Sequence, residues 1–279
     1  MSLRDQLGGA RRTGGPKTSF GPAIVAGMVL TLIVAAAGAL WLKSSSLQAK
    51  TDAQTLCPTE APVAGITVVL LDISDQFTER QRLDVTNRLQ RLRKSLPRFG
   101  LVEVYTVDRQ NRSIPVPLIH LCSPGRGSEM NRLYQNPQLA QKRWEGFSQR
   151  LATEIGRLLA VPPAETSPIL EAIQATALRT FGTPAYDGVE KRLIVVSDLL
   201  QNVPGKLNQY HAVPDFESFR RTPYFSEIRA DLQDVAVDLY YLRRTSGTPQ
   251  GMGHIEFWRQ LLSAEGAQVD SVEAIYGDQ

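Results

Sequence analysis

Two apolar runs in this chain end in oxygen-bearing side chains. The first, Val68-Val69-Leu70-Leu71, is followed by Asp72 and, two residues on, Ser74. The second, Leu193-Ile194-Val195-Val196, is followed by Ser197 and Asp198 more than a hundred residues later. Carboxylate and hydroxyl oxygens are the ligands a hard divalent cation such as Mg²⁺ takes, with several waters retained. The same residue types also cap loops and helix starts, where Asp and Ser are favoured without any ligand. Both readings stay open on spacing alone. No hydrolase, phosphate-loop or zinc-protease signature accompanies them. His120, His211 and His254 have no nucleophile at a useful spacing, and Glu171 and Asp75 sit where acids favour helix starts. The chain is read as a non-enzyme.

The elements that must position these residues alternate. Ile66–Leu71 reads as a buried strand, and Gln76–Leu96 as a helix with Val85, Leu89, Leu92 and Leu96 on one face. Leu101–Val107 and Ile114–Leu121 read as two strands of a hairpin around a turn at Asp108–Arg112. Asn136-Pro137 opens a helix through Leu159, with Phe147, Leu151, Ile155 and Leu158 on one face, and Pro162-Pro163 closes it. Ile169–Phe181 is the next helix, with Pro168 at its favoured first turn. A strand over Arg192–Ser197 precedes an irregular insert, 199–225. The pattern then predicts a helix over Ser226–Leu232, a strand over Ala236–Leu242, a helix over Gly253–Ala264 and a strand over Ala267–Ala274. Strands alternating with helices predict an α/β, doubly wound, mostly parallel sheet. Such sheets bind ligands beyond the carboxyl ends of their strands, where Asp72, Ser74 and Asp198 would lie.

The N-terminal region differs in kind. Residues 1–20 are Gly-rich and basic, with Arg4, Arg11, Arg12 and Lys17 against Asp5. The net charge of +3 therefore comes from this tail, and the neutral remainder argues against nucleic-acid binding. Pro22–Leu42 holds no charged side chain, is apolar on all sides and ends in Trp41-Leu42-Lys43. Twenty-one helical residues span roughly 30 Å, the hydrocarbon thickness of a bilayer. A buried soluble helix and a cleavable signal peptide are the alternatives. The expected organisation is a basic cytoplasmic tail (1–20), a transmembrane helix (21–42), a linker (43–64) and a globular domain (65–279). The positive-inside rule places the N-terminus in the cytoplasm of a single-pass inner-membrane protein, with the domain periplasmic or extracellular.

Asp72-Ile73-Ser74-Asp75-Gln76, Ser167-Pro168-Ile169-Leu170-Glu171-Ala172-Ile173 and Val195-Val196-Ser197-Asp198 together resemble the von Willebrand factor A (vWA) domain over about residues 65–275. The resemblance implies a sheet with one antiparallel edge strand, which the hairpin at 101–121 would supply. It implies a metal-ion-dependent adhesion site, with Asp72, Ser74 and Asp198 as ligands and Ser167 in place of a Thr. Gln76 stands where the family has a second Ser. In the family, the ion is completed by a carboxylate from a protein partner. In the topology this resemblance implies, Cys57 and Cys122 both fall at the amino edge of the sheet. Their strands lie two strand spacings, about 10 Å, apart, the eight-residue leader before Ile66 can cross that distance, and a disulfide is expected outside the cytoplasm.

The insert, beside Asp198, carries Tyr210, Phe216, Phe219, Arg220 and Arg221. Aromatics with Arg are typical interface anchors, and are equally a loop packing on its own domain. The expected function is a membrane-anchored module that recognises an unidentified protein partner, with Mg²⁺ as the candidate cofactor. The alternatives are a metal-free structural subunit of an envelope or secretion-type assembly and, further off, a metal-dependent hydrolase.

Overall fold

The computed structural model describes residues 21–46, 50–107, 116–132, 135–160, 166–244 and 247–277. The chain divides into two compact units, Met1–Gln48 and Ala49–Gln279.

In the first unit, α1 spans Gly21–Ser46. Side chains from Ile24 to Val34 such as Met28, Leu30 and Leu32 are 50–70% exposed around it. A helix apolar all round has no polar face to turn to water. Among the described residues, no helix is long and apolar enough to cross a membrane, the side chains of α1 being described at 21 and 24–38.

The second unit is an α/β domain built on a six-stranded sheet. Its strands are β1 (Gly65–Asp72), β2 (Gly100–Val107), β3 (Ile119–Cys122), β4 (Lys191–Ser197), β7 (Val235–Leu242) and β8 (Gln268–Ile275), in the order β3-β2-β1-β4-β7-β8. All neighbours are parallel except β2 and β3, so the antiparallel edge strand is where the hairpin reading put it. β1 is central, and its unbroken apolar run follows from burial on both faces. Val68 and Leu70 point into one core with Ile169, Ile173, Phe257 and Trp258. Val69 and Leu71 point into the other with Val85, Leu89, Phe147 and Leu151.

The helices filling these cores are α2 (Glu79–Ser95), α3 (Pro137–Leu158), α4 (Ile169–Thr176, continued by a π-turn to Phe181) and α7 (Met252–Ala264). α2 begins three residues later than the periodicity suggests. Thr78 accepts from Gln81 N–H, and Gln81 accepts from Thr78 N–H, a capping box that ends the preceding loop. The strand expected from Ile114 starts at Ile119; the turn at 108–112 and Pro162-Pro163 lie outside the described residues.

The insert is more ordered than expected. It holds a hairpin of β5 (Asn202–Val203) and β6 (Leu207–Asn208), then α5 (Phe216–Arg220) and α6 (Pro223–Ile228). The helix expected over Ser226–Leu232 is this α6, displaced toward the N-terminus. Thr222 caps it on Phe225 N–H, with Pro223 at its first turn.

At the amino edge, Cys57 and Cys122 form a disulfide with Cα atoms 4.7 Å apart. Residues 50–58, expected as linker, fold onto the domain there. Thr51 bridges Pro58, Asp52 caps the turn at Gln54 and Thr55, and Cys122 N–H donates to Thr55 C=O.

Candidate functional site at the carboxyl edge of the sheet

β1 and β4 are adjacent and parallel, so their terminal residues meet at one edge. Asp72, Ser74, Ser167 and Asp198 are brought together there, each 3% exposed or less. Ser74 donates to Asp72 Oδ1 through its N–H at 3.0 Å and its hydroxyl at 2.5 Å. Ser167 and Ser197 hydroxyls donate to Oδ2 at 3.1 and 2.6 Å. Both Asp72 oxygens are thus satisfied by short-range donors from three segments of chain.

Asp198 is neutralised differently. Its Oδ1 accepts from Leu200 N–H at 2.9 Å, and its Oδ2 accepts from Arg244 Nε at 2.7 Å. Arg244 also donates to Gln76 C=O at 3.0 Å and pairs with Asp75 Oδ2 at 3.3 Å. Tyr210 hydroxyl donates to that same Asp75 oxygen. Burial, then the charge of Asp72, pushes the Asp198 pKa up, while Arg244 and the Leu200 N–H hold it down. Burial opposes the Arg244 charge, but Asp198 and Asp75 outweigh it and its pKa rises. Tyr210 is also pushed up, by burial and then Asp198, so it remains a hydroxyl donor.

The backbone after β4 is held in an unusual shape. Leu199 has φ +59°, a left-handed conformation that costs a non-glycine residue about 1 kcal/mol or more. Its carbonyl accepts from Trp258 Nε1 at 2.9 Å and lies 3.0 Å from His254 Nε2. Gln250 clamps the other side, donating to Asp198 C=O and Leu242 C=O and accepting from Arg244 N–H.

A polar groove of about 250 Å³ opens beside this cluster, between Ser74-Asp75, Thr166-Ser167 and the hairpin residues Asn202, Asn208 and Tyr210. Thr166 Oγ1 is buried with no hydrogen-bond partner among the described residues.

Four of the five expected ligands therefore converge, and Gln76 does not join them. Gln76 is exposed, and its contribution is its carbonyl to Arg244. The oxygens of Asp72 and Asp198 accept hydrogen bonds, and a guanidinium lies against Asp198, a positive charge that a bound Mg²⁺ would have to displace. Among the described residues, no group of three or more His, Cys, Asp or Glu side chains is placed to hold a metal ion. As arranged, Arg244 is the cation that pairs with Asp198 and Asp75 at this edge.

The partner-anchor expectation needs correction. Phe216 and Phe219 are 5% exposed and belong to the core. Their rings meet Phe257 at 6.1 and 5.4 Å. The insert packs its aromatics on its own domain because α5 and α6 give it two faces, one of them apolar. Arg220 and Arg221 are exposed, and Tyr210 lines the groove.

The residue the sequence reading missed is Arg244. It lies two residues beyond the end of β7, at the same edge as Asp72 and Asp198. Its place after an expected strand was visible in the sequence, but the pairing of β7 with β4 that brings it to Asp198 was not.

No family model matches the chain, and no curated protein does. Solved structures give loose likenesses. BatB from Bacteroides thetaiotaomicron is 12% identical, with 77% of this chain and 91% of that one covered and a TM-score of 0.38. An aerotolerance-related membrane protein from Bacteroides fragilis is 14% identical, with 77% and 92% covered and a TM-score of 0.34. The pilus adhesin SpaC from Lactobacillus rhamnosus GG is 11% identical, with 80% and 28% covered and a TM-score of 0.43. Likenesses at these values transfer no function. The mixed sheet itself is consistent with a vWA-like fold.

Proposed function

We propose that the chain is a vWA-like, non-catalytic binding module, tethered to a membrane by residues 22–42 and recognising a protein partner at the carboxyl-edge groove. The observation that carries this reading is the groove between Ser74-Asp75, Thr166-Ser167 and Asn208-Tyr210. It lies where open α/β sheets bind ligands, and its polar groups are held by a dense buried network. The carboxylates at its floor are already hydrogen-bonded, which favours recognition over proton transfer. The tether is supported by the charge-free run Pro22–Leu42 and by the all-round apolar surface of α1, which lipid accommodates and water does not. The basic tail then lies in the cytoplasm and the domain in the periplasm or exterior, where the disulfide is stable. Metal-free assembly with other envelope proteins is the form of recognition that Arg244 favours.

The test is site-specific photocrosslinking of the full chain in native membranes. A photoreactive side chain at position 208 is expected to capture one discrete partner. At position 233, exposed before β7 at the opposite edge, it is expected to capture none. Equal capture from both positions, or from neither, contradicts the proposal.

A further inference from the structure

A vWA-like site needs positive charge between its two strand-end carboxylates. Here Asp72, Asp75 and Asp198 lie at one edge, and among the described residues Arg244 is the cation that pairs with Asp75 and Asp198. Arg244 is not a surface side chain resting nearby. Its side chain is 16% exposed, its Nε is 2.7 Å from a fully buried Asp198, and its other two nitrogens reach Asp75 and Gln76 C=O. Its backbone is locked as well, since its N–H donates to Gln250, which in turn clamps Asp198 C=O. One guanidinium therefore ties the ends of β1, β4 and β7 together. The planar fork suits such multipoint recognition better than an ammonium does.

We propose that Arg244 is the permanent cation of this site. It supplies the charge that a divalent ion would supply, holds the β1 loop at Asp75-Gln76 against Asp198, and makes the carboxyl edge independent of metal. This rests on the vWA-like reading of the site given above. Two consequences separate it from a merely structural arginine. The wild-type protein is blind to divalent ions, because an ion would have to sit beside a fixed positive charge and displace Arg244 from Asp198. Removing that charge uncovers Asp198 beside the Ser74 and Ser167 hydroxyls, and creates an ion response the natural protein lacks.

The experiment is thermal unfolding of the full-length protein in detergent, with Mg²⁺, Mn²⁺ or Ca²⁺ titrated against a chelator blank. Wild type is expected to show no saturable shift. Arg244→Ala is expected to melt about 10 °C lower in chelator, as removal of one member of a buried pair does in a domain of this size. It is expected to regain part of that loss with a divalent ion, and Asp72→Ala in the same background is expected to abolish the gain. Arg244→Gln keeps much of the side-chain length and an N–H donor without the charge; it carries the test if Arg244→Ala does not fold, and should behave the same way. A saturable ion response in wild type overturns the proposal. So does an Arg244→Gln protein that melts with wild type and ignores ions. No partner enters these melts, so their failure and the failure of the crosslinking test are distinguishable.

Discussion

The two edges of the sheet are closed by different physics. At the amino edge, Cys57 and Cys122 are joined covalently, and the incoming chain is pinned to β3. At the carboxyl edge, Asp72, Asp198 and Arg244 are joined only by hydrogen bonds and charge. The covalent closure acts on the unfolded chain as much as on the folded one. The ionic closure exists only in the folded state, and its value depends on every donor being present. A disulfide suits the end that needs only to hold, whereas a polar network suits the end where a groove must present oriented groups to another molecule.

The largest expected effect lies at the amino edge. Replacing both cysteines by Ser reopens a loop with a sequence separation of 65, which in the chain-entropy model costs about 4 kcal/mol. Denaturant unfolding should register this loss equally at low and high salt. A loss that vanishes in salt would mean that the two edges are not held by different physics.

The edges also differ in their response to pH. Glu265, near the amino edge, accepts from Ala230 N–H, and burial pushes its pKa up to about 7. The unfolded chain gives up this proton near the ordinary value of 4.5, so between 4.5 and 7 the folded protein binds more protons and stability falls as pH rises. Glu265→Gln should therefore stabilise by about 3 kcal/mol at pH 8 and by almost nothing below pH 4.5. Equal stabilisation at both pH values would remove the titration from the explanation.

His254, packed behind the carboxyl edge, contributes a slope of the opposite sign. It lies between Tyr241 hydroxyl and Leu199 C=O, and burial lowers its pKa to about 4. Below 6.5 the unfolded chain takes up a proton that the folded protein refuses, so stability falls as pH drops from 6.5 toward 4. The loss should reach about 1 kcal/mol at pH 5.5. Urea unfolding of wild type and His254→Asn side by side between pH 7 and 5 checks it: the stability difference between the two should shift by about 1 kcal/mol as the pH falls, and a difference that stays constant would remove the His254 titration from the explanation.

The comparison also marks what the amino-acid order conveyed. The central strands were legible because β1 and β4 are buried on both faces and read as unbroken apolar runs. The cysteine pair was legible through the resemblance, whose strand order puts both residues at one edge. Asp72, Ser74, Ser167 and Asp198 were legible as a set by resemblance to a family pattern. Arg244 was not, because its importance comes from β7 lying beside β4, a tertiary fact, and Arg243-Arg244 looks locally like any solvated pair. The insert misled for a different reason. Its capping signals, Asp215 before Ser218 and Thr222 before Pro223, are present, but helices as short as α5 and α6 leave no periodicity to read. Both readings of their aromatics therefore stayed open in the sequence, and tertiary packing buries Phe216 and Phe219.

The most direct test joins the groove to its cation. Crosslinking from position 208 in native membranes should give the same partner adduct in the same yield with excess chelator and with millimolar Mg²⁺. An adduct that forms only when Mg²⁺ is present would contradict a groove held ready by Arg244.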